Sequence, residues 1–333
     1  MTAAPRLASF RDAVRDAIAE EMARDERVVL IGEDVGPAGG VFQQTEGLHA
    51  RFGPARVIDT PISEAGFVGV AIGAAMSGLR PIVEVMFGDF LTLGLDQLVN
   101  QAAKVHWMSN GQFRVPLVIR SAVGVGGATG PQHSQSFHAW VSHVPGLKVV
   151  YPSDPGDAKA LFKAAVRDDN PVIFFEDRMS YTAKGPVAGP DGVARLGEAA
   201  VRRPGRDISL IGLGRMVPLA LRAAELLAAE GVSAEVVDVR SLRPLDLGTL
   251  AASLGRTNRA LVLDPAPRAY GAGAEIAAAL QEAAFDWLDA PIARLAQPEA
   301  PVPFAPALER LVMPDAARIA AAARTVLGRE GTT

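Results

Sequence analysis

Val57-Ile-Asp-Thr-Pro-Ile-Ser-Glu-Ala-Gly66 carries the chain out of a short apolar strand, Arg56-Val-Ile58, through a proline turn and into a run of small residues that reaches Gly78. Ser63 stands at the N-cap position expected of a helix start, which puts Glu64 in the first turn. The helix dipole stabilises an anion there, and on that reading Glu64 is a surface residue that caps a helix. The residues that follow offer a second reading. Gly66, Gly69 and Gly73, with Ala65, Ala71, Ala74 and Ala75, recur at helical spacing with almost no charge. Such a helix packs closely on all sides, as at a subunit contact. Glu64 then enters a buried junction, where a carboxylate is costly without a partner and is a candidate functional group. Both readings stand at this point.

On either side of this stretch, strand and helix candidates alternate. Phe10 to Arg24 has helical periodicity, and Arg27-Val-Val-Leu-Ile31 reads as a buried strand followed by Gly32-Glu-Asp34. After the small-residue helix come a strand at Pro81 to Val85, a helix expected from about Leu91 to Val105, and a strand at Val115 to Ile119. A glycine-rich loop runs from Ala122 to Ser136. Strand Leu147 to Tyr151, helix Pro155 to Arg167 and strand Val172 to Phe175 close the series. Alternation of this kind argues for an α/β fold with a parallel sheet covered by helices. The composition changes between Lys184 and Arg206, where prolines and glycines mark a connection. A second alternating series follows, with strands at Asp207 to Gly212, Ala234 to Val239, Ala260 to Leu263 and Ile292 to Leu295. Its helices are near Met216 to Glu230, Leu247 to Leu254, Gly271 to Ala284 and Asp315 to Val326. Residues 1–185 and 207–333 are therefore expected to form two doubly wound domains joined by a linker at 186–206.

The 333 residues suffice for two such domains. Half-apolar composition (49%) with few aromatics (6%) makes the core largely aliphatic, and a net charge of -4 gives no basic footprint for nucleic acid. The absence of cysteine excludes disulfides, thiolate metal sites and a cysteine nucleophile. No apolar run has the length of a membrane span. Met1 to Ser9 lacks an apolar signal core and an Arg-rich leader, so a cytoplasmic chain is expected, although a processed organelle protein reads the same way.

Several residues are candidates for chemistry. Glu33 and Asp34 follow a buried strand at its C-terminal end, the edge where parallel sheets bind ligands, although a surface loop reads the same way. Phe87 and Phe90, in Phe-Gly-Asp-Phe after another strand, are core aromatics or a platform for a flat ring. His133, in Gln132-His-Ser-Gln135, is suited to proton transfer near neutral pH or simply to bonding loop backbone. His106, His138 and His143 read as structural and His49 as a surface residue. No His-Glu-x-x-His, Walker loop or Gly-x-Ser-x-Gly elbow occurs. Gly212-Leu-Gly214 follows a strand, and Asp238 follows the next one. The third glycine position of a dinucleotide fingerprint is Val217, so the pair reads as an ordinary strand-to-helix turn.

Taken in order, these stretches resemble the beta subunit of the thiamine-diphosphate-dependent decarboxylase component of 2-oxo acid dehydrogenase complexes. The segments that carry the resemblance are Ile31-Gly-Glu-Asp-Val35, Gly40-Val-Phe42, Val57 to Gly66, Gly78-Leu-Arg-Pro81, Asp96-Gln97 and Asn100-Gln-Ala-Ala-Lys104. Gln132 to Gln135, Pro145 to Val150, Asp157-Ala-Lys159, Asn170-Pro171, Ala234 to Arg240 and Pro301-Val-Pro-Phe304 extend it over nearly the whole chain. The family has pyruvate, branched-chain and acetoin-cleaving members. Asp59 to Gly69, Phe87 to Phe90 and Pro301 to Glu309 look most like the acetoin type, while Gln132 to Gln135 and Asp168 to Pro171 are shared with pyruvate dehydrogenases.

The resemblance implies a transketolase-like pyrimidine-binding domain followed by a transketolase C-terminal-like domain. It implies that Glu64 hydrogen-bonds N1′ of the aminopyrimidine of thiamine diphosphate, that Phe90 stacks on that ring, and that His133 lies near the substrate and the acylation step. Glu33 would belong to an acidic, water-filled passage between paired active sites. A potassium ion would be held mainly by backbone oxygens near Leu117, Ala165, Val166, Asp168 and Asn170. Thiamine reacts as a carbanion at its thiazolium C2, and a buried carboxylate sharing a proton with N1′ favours the imino tautomer that removes the C2 proton. The Gly-Asp-Gly…Asn motif for magnesium and the diphosphate is missing from these residues. In this family it lies on the alpha subunit, so two alpha and two beta chains are expected to form the active unit, with a lipoyl acyltransferase core as further partner. Oxidative decarboxylation of pyruvate is the first expectation, with acetoin cleavage or a branched-chain substrate as same-family alternatives. An assembly subunit with little chemistry, and a nicotinamide dehydrogenase using Gly212 and Gly214, are the alternatives from other classes.

Overall fold

The computed structural model describes residues 6–329, so the first five residues of the stretch inspected for a leader lie outside the described residues. The chain packs as two compact units. One holds the residues up to Val123 together with Trp140–Leu196; the other holds Gly124–Ala139 and the chain from Gly197 onward. Both units are α/β, as the alternation of elements required.

The first unit contains β1 (Arg6–Ser9), β2 (Val28–Gly32), β3 (Val57–Asp59), β4 (Arg80–Val85), β5 (Val118–Val123), β6 (Lys148–Val150), β7 (Val172–Asp177) and β8 (Lys184–Val187). Six of these lie parallel in the order β6-β7-β5-β4-β2-β3. Their central residues are buried on both faces, which is why these strands read as unbroken apolar runs rather than alternating ones. The helices Phe10–Arg24 and Pro155–Arg167 pack together on the sheet, and Phe10, Val14, Ile18 and Met22 share one core with Leu30, Ile82, Phe162 and Phe174. Both helices start on side-chain caps: Ser9 Oγ accepts from Asp12 N–H at 3.1 Å, and Asp154 accepts from Asp157 N–H at 2.9 Å with Pro155 opening the helix. Such a cap contributes about 1 kcal/mol. The helix Glu64–Met76 packs against β4.

The second unit contains β9 (Ala200–Arg203), β10 (Ile208–Gly212), β11 (Ala234–Asp238), the short β12 (Ser241–Arg243), β13 (Ala260–Pro267) and β14 (Ala293–Gln297). Its sheet runs β14-β13-β10-β11-β9, parallel except for β9. The helices Met216–Ala228 and Ala316–Val326 line one core with Ile208, Leu210, Val236 and Leu261. Leu247–Thr257 and Ala272–Ala284 line the other with Ile211, Val237 and Val262. The stretch expected to join the domains is partly strand: Val187 ends β8, which pairs antiparallel with β1, and β9 forms the sheet edge beside β11.

The helix expected from Leu91 to Val105 takes a different form. A 3₁₀ segment spans Gly88–Gly94, a π segment Gln97–Ala102 and a short α segment Val105–Met108. Apolar spacing registers helicity but not its pitch. Here glycines bracket the first segment and Thr92 Oγ1 bonds back to Asp89 O at 2.8 Å, which tightens the turn.

Candidate functional site

Two expected residues, Glu33 and Glu64, come together at the C-terminal edge of the first sheet. In the register, Gly32 at the end of β2 lies opposite both Asp59 of β3 and Glu84 of β4. Glu33 and the turn from Asp59 to Glu64 therefore leave the sheet side by side. Gly32 suits this junction because a side chain there would come within 2.8 Å of Glu84 O. Asp59 Oδ1 accepts Gly36 N–H at 2.7 Å and ties down the loop after Glu33. Thr60 N–H reaches Gly32 O at 3.0 Å.

Ser63 occupies the N-cap position with φ -165°, but its hydroxyl makes no capping bond. The hydroxyl lies against Gly66, where a Cβ would sit 2.5 Å from Ser63 Oγ. Ser63 instead gives its backbone N–H to the carboxylate of Glu33. Glu64 is 6% exposed and Glu33 7%, so the buried reading of Glu64 holds over the surface cap. Burial pushes the Glu33 carboxyl above its ordinary value, the negative charge of Glu64 adds to the rise, and the Ser63 N–H opposes it. Glu33 Oε1 has no hydrogen-bond partner among the described residues.

Phe90 lies on the 3₁₀ segment that packs against the first turns of the helix Glu64–Met76. Its ring is half-buried and edge-on to Phe87, centroids 5.7 Å apart. Phe87 meets Phe42 at 5.4 Å, and Phe42 meets Tyr181 at 5.4 Å. The Phe87–Phe90 pair is thus neither pure core nor pure surface.

Leu117, Ala165, Val166, Asp168 and Asn170 lie around the C-terminal end of the helix Pro155–Arg167 and the starts of β5 and β7. Four of their carbonyls already accept a hydrogen bond. Leu117 O takes Val172 N–H and Ala165 O takes Asp168 N–H, while Arg80 donates from Nε to Val166 O at 2.8 Å and from Nη2 to Asp168 O at 2.6 Å. A guanidinium therefore holds two of the oxygens assigned by resemblance to potassium.

His133 belongs to the second unit. It ends a 3₁₀ turn, Pro131–His133, and is half-buried. Thr129 Oγ1 donates to His133 O at 3.1 Å. Five residues on, His138 is fully buried and its Nε2 lies 2.9 Å from Asp264 Oδ1. Burial alone would raise the Asp264 carboxyl. His138 and the N–H groups of Gly273 and Ala266 outweigh it and hold the carboxyl below its ordinary value. His138 is structural, as expected. His49 is half-buried, and His106 and His143 are exposed.

The Gly212–Gly214 turn does not form a dinucleotide site. Asp238 is fully buried and paired with Arg202 at 2.8 Å, and Arg215 in the turn donates to Val125 O at 2.8 Å.

Sequence reasoning missed one constellation. Arg120 of β5 is 1% exposed and grips Glu176 of β7 with two bonds, Nε to Oε1 at 2.8 Å and Nη2 to Oε2 at 2.7 Å; its Nη1 donates to Glu84 of β4. The signal was present as charged residues inside three otherwise apolar strands. Glu84 and Arg120 stand opposite in register, and Glu176 lies two residues beyond Phe174, the residue opposite Arg120. Burial pushes the Glu84 carboxyl up; Arg120 opposes that and Glu176 reinforces it.

Comparison with known proteins assigns residues 7–184 to the transketolase pyrimidine-binding domain and residues 197–319 to the transketolase C-terminal domain. The chain is 44% identical to the beta subunit of acetoin:2,6-dichlorophenolindophenol oxidoreductase of Bacillus subtilis, over 97% of this chain and 98% of that protein. It is 42% identical to the mitochondrial pyruvate dehydrogenase E1 component subunit beta-2 of Oryza sativa, over 97% and 87%. It is 44% identical to the pyruvate dehydrogenase E1 component subunit beta of Rhizobium meliloti, over 96% and 69%. Among solved structures, a split-gene transketolase described as an inactive beta4 tetramer superposes with a TM-score of 0.78 at 23% identity, over 97% of this chain and 99% of that one.

Proposed function

Because this chain belongs to the family of the pyruvate and acetoin dehydrogenase beta subunits, built from transketolase pyrimidine-binding and C-terminal domains, we propose that its buried Glu33–Glu64 edge is one half of a thiamine diphosphate site completed by an alpha subunit. The chain is the beta subunit of a 2-oxo acid dehydrogenase decarboxylase. The observation that carries the site assignment is the pair of buried carboxylates at the C-terminal edge of β2 and β3, joined through the Ser63 N–H that bonds Glu33, beside the Phe90 segment.

The residues fit the pyrimidine half of the cofactor: an orphaned buried oxygen on Glu33, a buried carboxylate on Glu64, and an aromatic ring on the neighbouring segment. They do not fit the diphosphate half, since no Gly-Asp-Gly…Asn motif occurs in the chain; magnesium and the diphosphate are assigned to the alpha chain. Bound thiamine diphosphate supplies a carbon nucleophile and an electron sink for the substrate carbon. Glu64 holds a proton at the ring nitrogen of the pyrimidine, and Phe90 orients the ring by stacking. Glu33, whose raised carboxyl retains a proton more readily than an exposed one, replenishes Glu64. His133 acts in transfer of the acyl group to a lipoyl arm. Burial of the pair keeps water from competing for these protons.

Two alpha and two beta chains make the active unit. The helix Glu64–Met76 leaves Ala65, Gly66, Val70 and Gly73 exposed, a face without bulk that suits close contact with another subunit. The second unit docks a lipoyl acyltransferase core. A potassium ion would be held mainly by backbone oxygens of Leu117, Ala165, Val166, Asp168 and Asn170, where it would tie the end of the helix Pro155–Arg167 to the strand starts beside it. Among the described residues no helix is long and apolar enough to cross a membrane, and we place the assembly in the cytoplasm.

Pyruvate is the first substrate of this reading. Acetoin is the second, favoured by the nearly end-to-end match to the Bacillus subtilis subunit. Co-expression with the cognate alpha subunit, followed by dye reduction with thiamine diphosphate, magnesium and either substrate or a branched-chain 2-oxo acid, names the reaction. Glu64→Gln should abolish turnover while the complex still assembles; full turnover in that variant would return the chain to the role of a scaffold.

A further inference from the structure

The loop that carries His133 is rich in glycine, at 124, 126, 127 and 130, and by composition alone it would sample many conformations. It is nevertheless held in one, and the holding group is a carboxylate distant in sequence. Glu309, on the short helix Pro306–Val312, is 8% exposed. Both of its carboxylate oxygens lie 3.1 Å from the backbone N of Ala128. Ala128 has φ 55°, a left-handed conformation that a non-glycine residue adopts only when its surroundings demand it. A charge-assisted bond from a buried carboxylate is such a demand.

Three further interactions run the same way. Val125 packs with Val302 and Val312 in a small core of its own. Gly130, φ 73°, lies against the ring of Phe304, so closely that a Cβ there would collide with it. Thr129, next to the pinned Ala128, gives its hydroxyl to His133 O at 3.1 Å and meets Ser134 Oγ at 3.0 Å. The path from Glu309 to His133 therefore runs through two hydrogen-bonded links: carboxylate to the Ala128 amide, then the Thr129 hydroxyl to the His133 backbone.

We propose that Glu309 is a positioning residue for His133, fixing the register of the loop through the Ala128 amide. It touches neither substrate nor cofactor. The inference rests on the assignment of His133 to acyl transfer made above, and it adds that the segment Val302–Val312 sets how well His133 performs it.

The test uses the assembled alpha–beta enzyme and reads two rates for each variant: dye reduction, which needs no lipoyl acceptor, and reductive acylation of a free lipoyl domain. His133→Ala should lower acylation about 100-fold or more and dye reduction far less. Glu309→Ala should show the same selective loss, on the order of 10- to 100-fold in acylation. Glu309→Gln, which keeps one acceptor oxygen for Ala128, should fall between. The double variant His133→Ala with Glu309→Ala should acylate no more slowly than His133→Ala alone, because both act at one point. Hydrogen exchange on Glu309→Gln should show faster exchange across residues 124–136 with β10, β11 and β13 still protected, a readout that stands even if the alanine variant folds poorly. Losses that multiply in the double variant, an equal fall of both rates in Glu309→Gln, or an unchanged loop in exchange would each overturn the proposal. If His133→Ala loses neither rate, the assignment of His133 itself fails; if it loses acylation while Glu309→Ala does not, only the positioning role fails.

Discussion

Glu33 is a residue whose surroundings fix its chemistry more than its type does. Its carboxyl is raised by burial first and by Glu64 second, above an ordinary value of 4.5. A carboxyl raised on folding binds its proton more tightly in the folded chain. Its contribution to stability is therefore full below the ordinary value and is lost as pH rises through the higher, folded value. Glu33→Gln removes that dependence. Thermal unfolding of wild type and variant across this window should show the wild type losing ground to the variant as pH rises, and parallel curves would contradict the raised carboxyl of Glu33. At this scale the sequence was partly legible. Position after a strand marked Glu33, and the small-residue run marked Glu64 as the entry to a close-packed junction. That Ser63 would spend its backbone N–H on Glu33 rather than its hydroxyl on the helix was not legible, because it depends on how two neighbouring strands end together.

Among the elements, β4, β5 and β7 are bound by more than their backbone ladder. One guanidinium, Arg120, faces two buried carboxylates, and Glu84 is the one pushed toward its neutral form by burial. Removing the cation strands both acids, so Arg120→Met should cost roughly 3–5 kcal/mol in urea denaturation. Glu84→Gln should cost less than Glu176→Gln, since burial already works against the charge on Glu84 and the substitution leaves the two-bonded Arg120–Glu176 pair intact. The reverse order would mean that Glu84 is the firmer partner. The strands themselves could be read from their apolar runs. Their charged residues could be seen but not paired, because register between strands separated by a helix is set by the sheet and not by local spacing. The same limit explains the segment from Gly88 to Met108, where apolar spacing marked helicity and tertiary packing chose its pitch.

For the whole molecule, the two-unit α/β plan and the family were legible because many short motifs fall in one order along the chain, and the matched families cover residues 7–184 and 197–319. The grouping of the His133 loop with the second unit was not, since residues 124–139 lie far in sequence from Glu309 and Arg215, which hold them. Without a diphosphate motif the lone chain holds only half of a cofactor site. Purified without an alpha chain, the protein should reduce no dye with any of the three substrates, and adding the cognate alpha chain should restore turnover. Dye reduction by the lone chain would mean that the diphosphate is held by residues not recognised above. The antiparallel ribbon of β1 and β8 and the insertion of β7 between β5 and β6 have a consequence for biosynthesis. A ribosome releases β2 to β6 before the strand that must separate β5 from β6 exists, and Arg6–Ser9 waits for Lys184–Val187 to emerge. The nascent chain thus carries an open strand edge through most of the translation of its first unit, and this subunit should depend on chaperone shielding during synthesis more than its final stability would suggest.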